Sequence, residues 1–232
     1  MTFSNTTFLS IDVETTGLSL VDDRIIQIGF SMFADSACLH TETYDIQQEV
    51  PNGAFEVNGI TPERIANGHS PYEICVLLWT LFNKKPRRFL FYNSPFDLSF
   101  IATEFARFEL DWNFSSLTIL DPLVIWRRFH PFQKGTLNHV AAHYRIPYNN
   151  QHDAGADSAA AGHIYCQMYN QHGELHTTYS NRMLENWYNK WAAQFIAYLQ
   201  SKRIEYSFED FQWPCRKELI CSVKPDSQER FF

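Results

Sequence analysis

The sequence has few of the features that mark secreted, disulfide-bonded or membrane-spanning proteins. No apolar run reaches the roughly 18 residues that a membrane-spanning helix needs, and no basic segment followed by an apolar run opens the chain. The cysteines are too scattered for Cys-x-x-Cys spacing, which argues against a disulfide framework or a zinc knuckle. They are Cys38, Cys75, Cys166, Cys215 and Cys221. We therefore expect a cytoplasmic protein with no membrane association.

Basic residues are also scarce relative to acidic ones. The chain has 19 Lys and Arg against 26 Asp and Glu, for a net charge of −7. This balance argues against a surface that binds polyanions in general. It does not exclude an enzyme that acts on nucleic acid, because a metal site needs clustered acids and bound cations reverse the local charge.

Apolar and aromatic residues are abundant. Of the 232 residues 45% are hydrophobic and 16% aromatic, which is enough to fill a sizeable interior. We expect one domain of about 170 residues with an appendage. We place the boundary between a domain at 1–172 and a C-terminal extension and tail at 173–232.

The most informative stretch is residues 8–18, which contains a strand that ends before a turn predicted at 17–23. Asp12 and Glu14 lie within it and project from one face, whereas Ile11 and Val13 project from the other. Two like charges at one half-buried edge cost free energy unless a cation lies between them or one is protonated. The pattern favours a metal site if further acids lie nearby.

The rest of the chain alternates short strands with capped helices. Two strands that follow the first form an antiparallel meander with it. Helix starts are indicated where an N-cap residue or a Pro opens a segment. The predicted strands are 24–33, 38–46, 88–92 and 117–120, and the predicted helices begin at Thr61, Ser70, Pro95, Asp121 and Thr136, with a further helix at Asp157.

Two further acids and a histidine lie at element ends of this α/β pattern. Asp97 falls on the first turn of a helix, and Asp157 lies on a helix that follows a loop with His152. Ordinary helix-dipole or surface roles could explain each residue alone. Together with Asp12 and Glu14 they supply four carboxylates and one base where α/β sites gather. Oxygen ligands of this kind select hard cations such as Mg²⁺ or Mn²⁺.

Three motifs resemble those of the DEDDh branch of the DnaQ-like 3′–5′ exonucleases. Residues 11–18 resemble the first motif, residues 93–97 the second, and His152 with Asp157 the third, with its His-x₄-Asp spacing. Residues 58–61 and 121–128 resemble segments of the epsilon proofreading subunit of bacterial DNA polymerase III. The resemblance spans about residues 8–170.

This resemblance implies an α/β ribonuclease H-like fold with a five-stranded mixed sheet flanked by helices. It implies that Asp12, Glu14, Asp97 and Asp157 hold two Mg²⁺ or Mn²⁺ ions and that His152 is the general base. It further implies that the terminal nucleotide is bound by Thr15, Thr16, Leu18, Val57, Asn58, Asn93 and Phe96.

The expected function is metal-dependent 3′–5′ hydrolysis of single-stranded nucleic acid, releasing nucleoside 5′-monophosphates, with DNA the favoured substrate in repair or proofreading. An exoribonuclease is the first alternative, and a catalytically idle exonuclease fold that serves as a subunit or scaffold is the second. Three positions depart from the family pattern: Asn58 and Tyr92 stand where His is usual, and Gln27 where Glu is frequent. These departures bear on the substrate and leave the metal ligands intact.

The C-terminal extension lies beyond the resemblance. Residues 181–202 have Leu, Trp, Tyr and Phe at helical spacing, which predicts an amphipathic helix. Packing on the same domain is the favoured interpretation, and a protein partner or a homodimer through this helix is the alternative. Residues 205–214 are expected to be irregular and 224–232 a loose tail.

Overall fold

The fold is built on one five-stranded mixed sheet. The computed structural model describes residues 7–48, 59–83, 88–149, 152–172 and 180–226. The strands are β1 (Phe8–Thr15), β2 (Ile25–Ala34), β3 (Ala37–Asp45), β4 (Arg88–Leu90) and β5 (Thr118–Leu120). They lie in the order β3-β2-β1-β4-β5, with β1 antiparallel to β2 and parallel to β4. The α/β, ribonuclease H-like architecture expected from the motifs is confirmed.

Helices cover the sheet. They are α1 (Pro62–Ala66), α2 (Pro71–Asn83), α3 (Ser94–Arg107), α4 (Pro122–Phe129), α5 (Leu137–His143), α6 (Ala154–Gln171), α7 (Asn181–Lys202) and α8 (Lys217–Cys221). Thr61 and Asp121 cap α1 and α4 through their side chains, as their sequences predict. The short helix α8 and a 3₁₀ turn at Phe208–Asp210 were not predicted. Within the described residues, no helix combines the length and the apolar character needed to cross a membrane.

Helix α6 lies very close to the sheet because small residues face each other at the contact. A Cβ added to Gly29 on β2 would lie 2.0 Å from the backbone carbonyl of Ala154, the first residue of α6. A Cβ added to Gly162 would lie 2.1 Å from the ring of Phe33. This close approach brings the start of α6 to the sheet beside β1 and β2.

Helix α7 packs beside α4 and β5. The Asn181 side chain accepts a hydrogen bond from the backbone N–H of Ile119 and donates one to the carbonyl of Leu117. Leu184 and Tyr188 are buried, so the first half of the helix belongs to the core. Packing on the same chain is therefore observed, as favoured from the sequence.

Candidate active site

The central strand β1 presents the first two acids. Ile11 and Val13 are buried in the core, and Asp12 and Glu14 are partly exposed. The pairing with β2 shifts register between Glu14 and Thr15, and β1 ends at Thr15, one residue after the second acid. The alternation read from the sequence thus places both carboxylates at the end of one strand.

Asp97 reaches β1 from the first turn of α3. The backbone N–H of Val13 donates to Asp97 Oδ1 over 3.0 Å, and Asp97 is only 2% exposed. Asn93, just before the helix, has a left-handed backbone with φ of 75°, which Asn adopts more readily than most residues. This turn swings the chain from β4 into α3 and directs Asp97 at the strand.

The start of α6 supplies the third motif. The Asp153 side chain accepts a hydrogen bond from Ala156 N and so caps the helix. Asp157 lies in the first turn and is 7% exposed, whereas the side chain of His152 in the preceding loop is 53% exposed. His152 Nδ1 lies 3.9 Å from Glu14 Oε1. One ligand atom each of Glu14, His152 and Asp157 falls within 4.8 Å of the others.

Asp12 and Asp97 interact electrostatically with this group of residues. Burial raises the pKa of Asp12 well above its ordinary value, and the charges of Asp97, Asp157 and Glu14 raise it further. Burial, followed by the charges of Asp157 and Asp153, raises the pKa of Glu14 to about 7. The pKa values of Asp97 and Asp157 are also raised, chiefly by burial. The four carboxylates therefore repel one another in a partly desolvated cluster.

This donor set fits divalent cations. Repulsion among buried carboxylates is offset when a cation of high charge density lies between them, and oxygen donors suit Mg²⁺ or Mn²⁺. The described residues include no other set of three acid, cysteine or histidine side chains close enough to share an ion. The cluster is thus the place where a metal ion would be held.

Tyr148 is a site residue that the sequence did not indicate. Its hydroxyl donates to Asp157 Oδ1 over 2.5 Å, and its ring packs against the core. The residue lies nine positions before Asp157, outside the three motifs, in a segment without regular structure. No helix or strand period relates Tyr148 to Asp157, because Tyr148 lies in a loop. The sequence pattern therefore does not predict this hydrogen bond.

Gln27 holds the start of α6 in place. Its Oε1 accepts from Ala154 N over 2.8 Å, and its Nε2 donates to Asp45 Oδ1 over 2.7 Å. Arg64 in turn binds both carboxylate oxygens of Asp45. A glutamate could accept from Ala154 but could not donate to Asp45. The departure from the family pattern at this position thus has a structural partner.

The expected nucleotide-binding residues lie partly around this cluster. Leu18 is 78% exposed in the loop after β1, Thr15 Oγ1 donates to the carbonyl of Gly17, and Thr16 Oγ1 donates to Asp23 Oδ1. Phe96 is half-buried against Phe100. Asn93 precedes α3 as described above, and the remaining two residues, Val57 and Asn58, lie outside the described residues.

The chain is similar in sequence to parts of two known proteins. The chain is 27% identical over 173 residues to the 3′-5′ exonuclease DinG of Staphylococcus epidermidis, which covers 73% of this chain and 19% of that protein. It is 25% identical over 170 residues to a PolC-type DNA polymerase III of Latilactobacillus sakei, covering 72% and 12%. The chain therefore spans about a fifth or less of these relatives.

Solved structures of exonuclease I have the same fold. A structure of exonuclease I described in terms of its processivity matches with a TM-score of 0.65 at 23% identity, covering 74% of this chain and 42% of that one. A zinc-bound complex of the E. coli enzyme with single-stranded DNA matches with a TM-score of 0.64 at 24% identity, covering 73% and 42%.

Most of the chain matches a family model of exonucleases. The model RNase_T, described as "Exonuclease", matches residues 9–165, which include every acid of the cluster and His152. The match covers well over half of the chain. The chain belongs to this DnaQ-like exonuclease family.

Proposed function

We propose that the protein is a metal-dependent 3′–5′ exonuclease that removes nucleoside 5′-monophosphates from single-stranded DNA ends. The observation that carries this proposal is the convergence of Asp12, Glu14, Asp97 and Asp157 from three separate elements on one cluster. Their mutual repulsion and burial suit divalent cations and have no evident structural purpose.

The four carboxylates would hold two Mg²⁺ or Mn²⁺ ions. Two such ions, when bound, stabilise charge on both the attacking and the leaving oxygen of a phosphodiester displacement. The buried residues Asp97 and Asp157 would contribute the most rigidly held oxygens, since Val13 N and the Tyr148 hydroxyl each fix one oxygen of these groups. The partly exposed Asp12 and Glu14 would face the incoming phosphate.

His152 would act as the general base. Its half-exposed imidazole lies beside Glu14 and can accept a proton from a water molecule. The water oxygen forms a bond to the terminal phosphorus, and the bond from phosphorus to the preceding 3′ oxygen breaks. The products are a nucleoside 5′-monophosphate and a strand with a new 3′-hydroxyl, whose proton comes from solvent.

The position of His152 also allows a role as metal ligand, since its ring lies near Glu14 and Asp157. Two observations favour the base. The side chain is about half exposed to solvent, and four carboxylates already supply the oxygen donors that Mg²⁺ prefers. A nitrogen ligand would favour zinc-like ions instead.

DNA is the preferred substrate in this proposal because the structural relatives include exonuclease I bound to single-stranded DNA. The strand end would lie over the loop after β1, where Leu18 projects into solvent. Thr15, Thr16, Asn93 and Phe96 would bind the terminal nucleotide, together with Val57 and Asn58.

A panel of substrates tests the proposal. Purified protein is incubated with end-labelled single-stranded DNA, duplex DNA and RNA of one sequence, with Mg²⁺, Mn²⁺ or EDTA. The proposal predicts fastest loss of single-stranded DNA, and only with metal. Preference for RNA would assign the protein as an exoribonuclease, and no cleavage of any substrate would support a catalytically idle subunit.

A further inference from the structure

The C-terminal segment, residues 207–226, lies beyond the residues that the family model matches. It nevertheless forms hydrogen bonds with α3, the helix that carries Asp97. The Arg216 backbone N–H donates to Ser99 Oγ over 2.9 Å. The Asp226 backbone N–H donates to the carbonyl of Arg107, and its carboxylate lies 3.2 Å from Arg24. A loose tail is therefore the wrong description of Asp226. The segment follows α3 from its second turn to its last residue.

A buried carboxylate connects this segment to the first turn of α3. Asp121 has no exposed surface and accepts hydrogen bonds at both oxygens. Oδ2 accepts from Ser94 N over 3.0 Å, from Ser94 Oγ over 2.9 Å and from Trp213 Nε1 over 3.2 Å. Oδ1 accepts from Asn93 N, Leu123 N and Val124 N. Capping of α4, the role that the sequence assigned to Asp121, accounts for only two of these contacts.

The chemistry of these contacts makes Asp121 sensitive to each partner. Backbone N–H groups and the indole N–H can only donate, so each of these partners needs an acceptor, and the two oxygens of the Asp121 carboxylate supply it. A buried carboxylate without its full set of donors is costly, because water cannot replace the missing hydrogen bond. Trp213 is 8% exposed, so its indole supplies a donor where solvent does not reach.

The start of α3 depends on this carboxylate. Asn93 has a left-handed backbone and its side chain makes no capping bond to the helix, so Asp121 replaces the usual cap for the N–H groups of Asn93 and Ser94. Asp97 lies three residues further along the same turn. A change in the direction of this turn moves the Asp97 carboxylate relative to Val13 and the rest of the cluster.

We propose that Trp213 is a positioning residue for Asp97, acting through Asp121 and the first turn of α3. The proposal rests on the proposed function and deepens it. The C-terminal segment then contributes to the active site of the nuclease. It supplies the Trp213 indole N–H, which lies outside the family motifs and helps to fix the position of the Asp97 carboxylate. Trp213 itself touches neither metal nor substrate.

The test replaces the indole with a ring that cannot donate. Trp213→Phe is compared with Trp191→Phe, a matched change in the same extension, where the indole stacks on Arg127 and does not contact Asp121. Mn²⁺ affinity is measured by calorimetry, kcat and KM on single-stranded DNA, and stability by thermal unfolding. Partners that orient metal ligands typically change affinity or activity by at least about 10-fold when they are lost.

We expect Trp213→Phe to weaken Mn²⁺ binding about 10-fold and to lower kcat by a similar factor, with KM near that of the parent. Trp191→Phe should change each value less than twofold. A purely structural role would lower the melting temperature of both variants without a selective loss of Mn²⁺ affinity, and that result would overturn the proposal. Parent-like Mn²⁺ affinity in Trp213→Phe would also overturn it.

A second variant guards against failure to fold. Ser94→Ala removes the hydroxyl donor from the same oxygen of Asp121 and should weaken Mn²⁺ binding in the same direction. If Trp213→Phe does not fold, parent-like Mn²⁺ binding by Ser94→Ala would show that the positioning role is wrong. A parent protein that binds Mn²⁺ and shows these effects but cleaves no nucleic acid would contradict the proposed function alone. A parent that binds no Mn²⁺ would overturn both.

Discussion

The backbone N–H of Val13 donates to Asp97 Oδ1 over 3.0 Å, and this bond joins the first two acidic motifs of the chain. It fixes one oxygen of a buried carboxylate against the strand that carries Asp12 and Glu14. An amide at position 97 could keep the bond from Val13 through its carbonyl oxygen, so the charge can be removed without removing the contact.

We therefore predict that Asp97→Asn folds normally. Its rate of hydrolysis should be lower than that of the parent by a factor of roughly 10² or more, because one of the charges proposed to bind metal is removed. Its melting temperature without metal should equal or exceed that of the parent, because repulsion in the cluster falls. Thermal unfolding with and without Mg²⁺, together with initial rates, measures both effects. Asp22→Asn in the exposed loop after β1 is the control and should behave like the parent.

The raised pKa of Glu14 makes the metal-free protein sensitive to pH. A carboxyl group with a folded-state pKa of about 7 against an ordinary 4.5 binds its proton more tightly when folded. Its contribution to stability is therefore full below about pH 4.5 and is lost as the pH rises through 7. The shift corresponds to roughly 3 kcal/mol at most. The pKa values of Asp12, Asp97 and Asp157 are shifted in the same direction.

We predict that the EDTA-treated protein melts at a lower temperature at pH 8 than at pH 5.5, and that Glu14→Gln reduces this difference. Added Mg²⁺ should stabilise the parent more at pH 8, where the cluster is ionised. Differential scanning calorimetry across this range provides the measurement. A metal-free parent that becomes more stable toward pH 8, with the same slope in Glu14→Gln, would argue against a repulsive carboxylate cluster.

His152 is assigned as base, so its loss should affect the rate and spare the metal. We predict that His152→Ala lowers kcat by about 10² to 10⁴ and changes Mn²⁺ affinity only a few-fold. The exposed His139 offers a matched control, since His139→Ala should leave both values near those of the parent. If calorimetry showed that Mn²⁺ binding collapses in His152→Ala, the imidazole would be a ligand.

Tyr148 orients Asp157 through a hydroxyl, and Phe keeps the ring while removing the donor. We predict that Tyr148→Phe raises the Mg²⁺ concentration needed for half-maximal activity about 10-fold, because Asp157 loses the bond that fixes one oxygen. Tyr44→Phe is the control, since the Tyr44 hydroxyl binds Glu42 on the exposed face of β3. An unchanged Mg²⁺ dependence in Tyr148→Phe would show that Asp157 is held by its helix alone.

Much of the fold could be predicted from the sequence, because local residue patterns determine where most strands and helices form. Alternation indicated β1, and a run of β-branched and aromatic residues placed β2 within one residue of its observed bounds. Capping residues marked the starts of α1 and α4. The helical spacing of residues 181–202 gave the bounds of α7. The acids were found because Asp12 and Glu14 interrupt an apolar strand, and because the spacing of the third motif is fixed.

The contacts that orient the acids could not be predicted in this way. The bonds of Gln27 to Ala154 and of Trp213 to Asp121 join residues 127 and 92 positions apart. Their geometry depends on how closely α6 and the C-terminal segment approach the sheet. The short helix α8 has only five residues, too few for a clear period. Local sequence thus indicated which residues bear the chemistry, and tertiary packing determined what holds them.

The central claim is that four carboxylates form one metal-dependent site that shortens strands from the 3′ end. The most direct measurement follows a 5′-labelled single-stranded DNA with protein stripped by EDTA, before and after Mg²⁺ is restored. We predict no cleavage without metal, and after restoration a ladder of labelled strands that shorten one nucleotide at a time, absent with Asp157→Asn. Cleavage in EDTA, immediate release of the labelled mononucleotide, or a parent-like ladder from Asp157→Asn would contradict the account.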